Sequence, residues 1–223
     1  GKSVTSLSIM QLIPNPPGKV TGGEINYKTK NNQNINIVVL GPEGTRKYRG
    51  NEIAMIFQEP MTSLNPVMKC GEQVMEAIII HQKISKKEAR KKTLELFKEV
   101  QLPQAEDMLD RYPHQLSGGQ KQRVMIAMAM SCNPRVLIAD EPTTALDVTV
   151  QKTILELMQN LQSRYNMGIL FITHDLGVIA ELANKVVVMY KGKIVEQGTV
   201  LEIFSNPIVS PSSAFESGCE RCI

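Results

Sequence analysis

Tryptophan is absent from the 223 residues, and aromatic residues make up only 4% of them. That scarcity argues against a stacking platform for single-stranded nucleic acid. No run of about eighteen apolar residues occurs, so nothing in the sequence is expected to cross a membrane. No signal peptide is visible either, and any membrane role is expected to be peripheral. The four cysteines, with Cys70 and Cys132 isolated, do not make a disulfide framework in a chain of this size, and a reducing compartment fits them. A one-sided charge is also missing, since the formal net charge is only +3. The most basic stretch, Lys86-Lys87-Glu88-Ala89-Arg90-Lys91-Lys92, mixes acid with base in the manner of a solvated helix face. Nucleic acid is therefore not an expected partner.

What remains is ordinary globular material. Hydrophobic residues make up 42% and charged residues 21%, enough apolar content for one sizeable domain or two lobes sharing a core. Ser3 to Ile13 reads as a helix that ends in the Pro14-Asn15-Pro16-Pro17-Gly18 cluster. Gly23 to Tyr27, Ile35 to Leu40 and Ile53 to Phe57 have the β-branched, apolar content of strands. From Gly71 to about Val100 apolar positions recur at helical spacing, and Val124 to Met130 is apolar all round, as in a buried helix. Beyond it, apolar runs at Arg135 to Asp140, Gly168 to Thr173 and Lys185 to Met189 alternate with helical stretches Val148 to Arg164 and Leu176 to Ala183. That alternation predicts an α/β fold with a parallel sheet covered on both faces. Lys191-Gly192 is placed for a hairpin turn, and residues 208–223 read as an irregular tail.

Three short segments carry chemistry. Gly1-Lys2-Ser3 matches the end of a phosphate-binding loop G-x-x-x-x-G-K-S running into a helix. In such a loop the Lys neutralises phosphate charge and the Ser hydroxyl sits on Mg²⁺; taken alone, the tripeptide is better read as an arbitrary start. Val136-Leu137-Ile138-Ala139-Asp140-Glu141 is an apolar strand ending in two carboxylates, where a sheet's carboxyl edge would lie. Such a pair either serves Mg²⁺ and a water as ligand and general base, or caps the following helix. Leu116-Ser117-Gly118-Gly119-Gln120 places two glycines and a hydroxyl at a helix start, which makes either an anion site or a plain N-cap.

Leu116 to Gln120 resembles the signature motif of the ABC ATPases, and further elements similar to that family follow in order. Gln58 is similar to the Q-loop glutamine, which senses Mg²⁺ and the attacking water. Asp140 and Glu141 fall on the Walker B positions, Ala145-Leu146-Asp147 on the D-loop and His174 on the switch histidine. The resemblance covers residues 1 to about 207. Phe57 to Pro66 and Arg111-Tyr112-Pro113-His114-Gln115 look like the branch importing peptides, nickel and glutathione.

That resemblance implies a P-loop, RecA-like ABC ATPase core made of residues 1–63 and 131–207. A helical subdomain, residues 64–130, would carry the signature motif, beside a small β portion. It implies ATP and Mg²⁺ as cofactors. Gly1, Lys2, Ser3, Ser117, Gly118, Gly119, Gln120 and Asp147 would bind ATP; Ser3, Gln58 and Asp140 would hold Mg²⁺; Glu141, His174 and Gln58 would be catalytic. The implied partners are a second ABC ATPase domain (identical, different or in tandem on the same chain), transmembrane permease subunits and, indirectly, an extracytoplasmic solute-binding protein. The location would be the cytoplasmic face of the cell membrane.

Departures from the pattern set further expectations. The loop's opening glycines, the preceding strand and an adenine-stacking aromatic are not in the sequence, so weak ATP binding by this chain as given is expected. Cys219 and Cys222 are two thiols where an iron–sulfur cluster needs four, so no metal beyond Mg²⁺ is expected. Two other readings stand beside the importer. One is a soluble ABC ATPase of DNA repair or translation, although residues 59–116 are short for a repair-type coiled coil. The other is an inactive fragment that acts only as an interaction unit.

Overall fold

The computed structural model describes residues 1–58, 63–144 and 146–205, together with the backbone of 220–222. Glu59 to Thr62 of the peptide-importer segment, Ala145 of the D-loop and Cys219 lie outside the described residues. The architecture is α/β. The chain falls into two compact units, residues 47–169 and residues 1–46 with 170–223, and the dividing line passes through the Gly168–Ile172 strand.

The 47–169 unit is built on two strands. Ile53–Ile56 pairs parallel with Val136–Asp140, from Ile53 opposite Val136 to Ile56 opposite Ala139. Leu137, Ile138 and Ala139 are fully buried, as expected of a parallel strand covered on both faces. Helix Gly118–Met130 packs on the first strand, and also on helices Cys70–Gln82, Lys86–Glu99 and Val148–Tyr165. Val124, Ile126, Ala127 and Met130 turn inward from it and are wholly enclosed. The expected helical stretch Gly71 to Val100 is thus two helices. The first stops at Lys83, which takes the left-handed conformation with φ 53°, a common helix terminator. The second starts at Ser85, whose side chain and that of Glu88 cap each other's backbone N–H groups.

In the other unit, helix Lys2–Ile9 is shorter than the sequence suggests, and Gln11 with φ 51° turns the chain before the proline cluster. Asn26–Lys28 pairs antiparallel with Asn34–Asn36. Ile35 to Leu40, expected as a strand, is instead split: only Ile35 and Asn36 are extended, and the chain is helical over Ile37–Thr45 except for a kink at Gly41 (φ 65°, ψ −174°). The Asn36 side chain accepts the Val38 N–H and so caps a helix start, and this overrides the β preference of the Ile-Val-Val run. Lys185–Tyr190 and Lys193–Thr199 form the expected hairpin. Lys191 (φ 46°) and Gly192 (φ 80°) are both left-handed, the geometry whose twist matches the flanking strands. Ile179, Val186, Val188 and Ile203 make a small core.

The described strand pairings in this unit are antiparallel, that of the hairpin as its two-residue turn requires. One expectation needs correction. The tail, expected to be irregular, contributes strand Glu220–Cys222, which runs beside residues 187–189 and meets Ile172. An open strand edge offers a row of backbone donors and acceptors to an added segment irrespective of its side chains. Among the described residues no helix is long and apolar enough to cross a membrane.

Candidate functional site

In the 47–169 unit, the strand register decides which polar groups meet. Ile53 opposite Val136 is a separation of 83 residues along the chain, and the same offset extended past the strand ends brings Gln58 to Glu141. Gln58 Nε2 donates to Glu141 Oε2 at 3.1 Å. The Thr144 hydroxyl donates to the same oxygen at 3.0 Å, a contact the sequence reading missed. A Thr three residues after the acid was its only local signal.

Asp140 ends the buried strand with 3% of its surface exposed, and the next residue breaks from extended geometry. Glu141 has φ 46°, a left-handed conformation that a residue with a Cβ adopts at a cost of roughly 1–3 kcal/mol. The turn there takes Glu141 out of the strict alternation that would point it away from Asp140. Non-glycine residues held in this way concentrate at functional positions.

The signature segment is also in this unit. Ser117 is the N-cap of helix Gly118–Met130: its hydroxyl accepts the Gln120 N–H at 3.3 Å, and the Gln120 side-chain oxygen accepts the Ser117 N–H at 3.0 Å. The Gln120 side-chain oxygen is thereby committed to the cap, while the Ser117 O–H is still a donor. A Cβ built on Gly118 would stand 3.3 Å from Leu146, and one on Gly119 only 2.7 Å from Val150 Cγ1. Both glycines therefore allow this helix start to lie against the segment around Asp147. Asp147 is itself an N-cap, and its carboxylate accepts the Val150 N–H at 2.9 Å.

Gly1, Lys2, Ser3 and His174 belong to the other unit. Gly1 is the N-cap of helix Lys2–Ile9, and its carbonyl accepts the Thr5 N–H. The Lys2 ammonium, 5% exposed, donates to the Thr173 carbonyl at 3.3 Å. Ser3 lends its carbonyl to the Ser6 hydroxyl. His174 is exposed in the turn after Gly168–Ile172. It is bracketed by Thr173, whose hydroxyl accepts the Asp175 N–H, and by Asp175, which caps the next helix through Gly177 and Val178.

Known proteins match this chain closely. The family model described as ABC transporter matches residues 1–144. The chain is 55% identical over 207 residues to the oligopeptide transport ATP-binding protein OppD of Bacillus subtilis, covering 93% of this chain and 56% of that protein. It is 53% identical, also over 207 residues, to the glutathione import ATP-binding protein GsiA of Salmonella choleraesuis, of which it covers 33%. It thus spans little more than half of the first relative and a third of the second. Among solved structures it resembles a dimeric ATP-binding cassette in a post-hydrolysis state bound to ADP and Pi, with a TM-score of 0.75 and 30% identity, covering 90% of this chain and 81% of that one. With a family model matching more than half of its length, the chain belongs to the ABC transporter family.

Proposed function

We propose that this chain is the ATP-binding and ATP-hydrolysing part of an importer for oligopeptides, dipeptides or related small solutes. The observation that carries the reading is the carboxylate of Glu141, held in a left-handed turn at the end of a buried strand and fixed by Gln58 and Thr144. A carboxylate oriented in this way is placed to accept a proton from an attacking water. Gln58 would position that water and report on it, and His174 would steady the terminal phosphate. Lys2 would neutralise phosphate charge, with Gly1 and Ser3 beside it.

The oxygen donors of Ser3, Gln58 and Asp140 suit Mg²⁺, which binds through one or two carboxylates together with substrate phosphates. When bound it would supply charge neutralisation at the β- and γ-phosphates. The proposed organisation is the core of residues 1–63 and 131–207 with the helical subdomain 64–130. Ser117, Gly118, Gly119, Gln120 and Asp147 would serve the site of a second ATPase domain, so hydrolysis requires a dimer. Permease subunits, an extracytoplasmic solute-binding protein and a place at the cytoplasmic membrane face complete the proposal.

The test is a pair of variants in a chain that carries the whole phosphate-binding loop. Glu141→Gln keeps the shape but cannot take the proton, and should slow hydrolysis by about 10²–10⁴-fold while ATP stays bound and the dimer persists in light scattering. Ser117→Arg should bind nucleotide and remain monomeric. Parental hydrolysis by Glu141→Gln, or normal dimerisation by Ser117→Arg, would refute the composite site.

A further inference from the structure

Gln122 lies two residues beyond the signature segment, on helix Gly118–Met130, and is only 1% exposed. Neither its amide nitrogen nor its amide oxygen has a hydrogen-bond partner among the described residues. A buried amide in that condition is disfavoured, because it has given up water and gained nothing in return. Its position on the helix indicates what it is near. Gln122 follows Gly118 by four residues and Gly119 by three, which puts all three on one helix face. That face is the one on which Cβ atoms at the glycines would meet Leu146 and Val150. Long side chains in a helix lean towards its N-terminus and cover the preceding turn. Here that turn consists of two residues with no side chain, beside the segment that Asp147 caps.

We infer that Gln122 is a positioning residue: its buried, unpaired amide pairs with the main chain at Leu146 and Asp147, beside the glycine face, when nucleotide draws the signature helix into its working position. The inference rests on the ATPase reading above. It assigns the alignment of Ser117 against the Asp147 segment to a side chain that touches neither nucleotide nor partner. A buried group satisfied in only one of two arrangements biases the balance between them, as any differential interaction does.

The experiment uses, as parent, the chain with the whole phosphate-binding loop in place, and its Gln122→Met variant, which keeps length and volume but removes both polar atoms, with Gln122→Asn as the variant that keeps the amide one methylene short. Without nucleotide, Gln122→Met should melt about 2–4 °C higher than the parent, since an unpaired buried amide has been replaced by an apolar group of similar shape. With Mg-ATP, half-maximal stabilisation and dimerisation should need about tenfold more nucleotide than in the parent, the effect of losing one hydrogen bond to a buried polar group. Gln122→Asn should fall between the two in the nucleotide arm.

A merely structural glutamine would give the opposite pattern, with Gln122→Met melting lower and responding to Mg-ATP like the parent. Either of those results overturns the inference. If the parent itself shows no response to Mg-ATP, the ATPase reading fails and the inference falls with it. A normal parental response with an unaltered variant removes only the role of Gln122.

Discussion

Replacing Gly119 by alanine tests the contact that holds the signature helix against the segment after Asp147. The added methyl would land 2.7 Å from Val150 Cγ1, about 1 Å inside ordinary carbon–carbon contact. Val150 is β-branched and sits in the first turn of a helix, where its χ1 has one strongly preferred setting, so it cannot swing aside. Overpacking of this kind costs about 1–3 kcal/mol. Alanine regains up to about 1 kcal/mol over glycine within a helix, and less at the helix start, so the net expected cost is about 1–2 kcal/mol. Val150→Ala removes the obstructing methyl groups; in that background Gly119→Ala should be neutral or slightly stabilising. The double-mutant cycle should therefore show a favourable coupling of about 1–2 kcal/mol, within the range found for residues in contact. Urea denaturation of the parent, both single variants and the double variant measures it through midpoints at constant slope. An equal cost of Gly119→Ala in both backgrounds would refute the packing argument.

Three further expectations concern other parts of the 47–169 unit. Burial, with the Glu99 carboxylate accepting its hydroxyl proton at 2.8 Å, pushes Tyr165 up to about 12. The folded chain then keeps a proton that the unfolded chain releases near 10, so this contribution to stability is whole below pH 10 and is lost as pH rises towards 12. In an alkaline absorbance titration, Tyr165→Phe should delete an ionisation near pH 12, and an unchanged curve would count against the Glu99 contact. Burial likewise pushes the wholly enclosed Cys70 thiol up to about 11, so peptide mapping after iodoacetamide should find Cys70 unmodified in the native chain and modified in urea; rapid native labelling would contradict this. Ser85→Ala removes the reciprocal cap with Glu88 and should cost about 1 kcal/mol in thermal melts, with Ser85→Asp restoring most of it.

Local chemistry made much of the fold legible. Lys191-Gly192 announced its hairpin, because a left-handed pair suits glycine at one position and the flanking β-branched residues suit strands. Four apolar residues before Asp140 marked a buried strand edge, whereas the cap formed by Ser85 and Glu88 went unread, so Gly71 to Val100 passed for one helical stretch. Where the reading failed, a short polar side chain decided the outcome. Asn36 accepts an N–H two residues on, and a run that looks like a strand becomes a helix. The candidate site was legible as a set of residues but not as an arrangement. Gln58 and Glu141 are far apart in the chain, and nothing local in the sequence says that their strands pair in this register. The approach of Gly119 to Val150 is equally invisible, since glycine at a helix start has ordinary capping explanations. Thr144 was missed because a threonine after a strand has many uses, and only the fold shows its hydroxyl reaching Glu141.

The shared offset of the Ile53–Ile56 and Val136–Asp140 ladder and of the Gln58–Glu141 bond has a bearing on how this chain tolerates change. The amide and the carboxylate are keyed to a backbone ladder, and the helices threaded between them do not set their spacing. Lengthening or shortening residues 83–85, between two of those helices, changes the contour of the excursion but leaves the ladder's endpoints opposed. Loop closure adds only about 0.6 kcal/mol for each doubling of length. Inserting a single residue within Ile53–Ile56 is another matter, because the period of a strand is two and everything after the insertion changes face. The chain thus joins an inter-helix connection open to remodelling to a four-residue segment that admits almost none. An engineer changing that connection need count residues only along the strands.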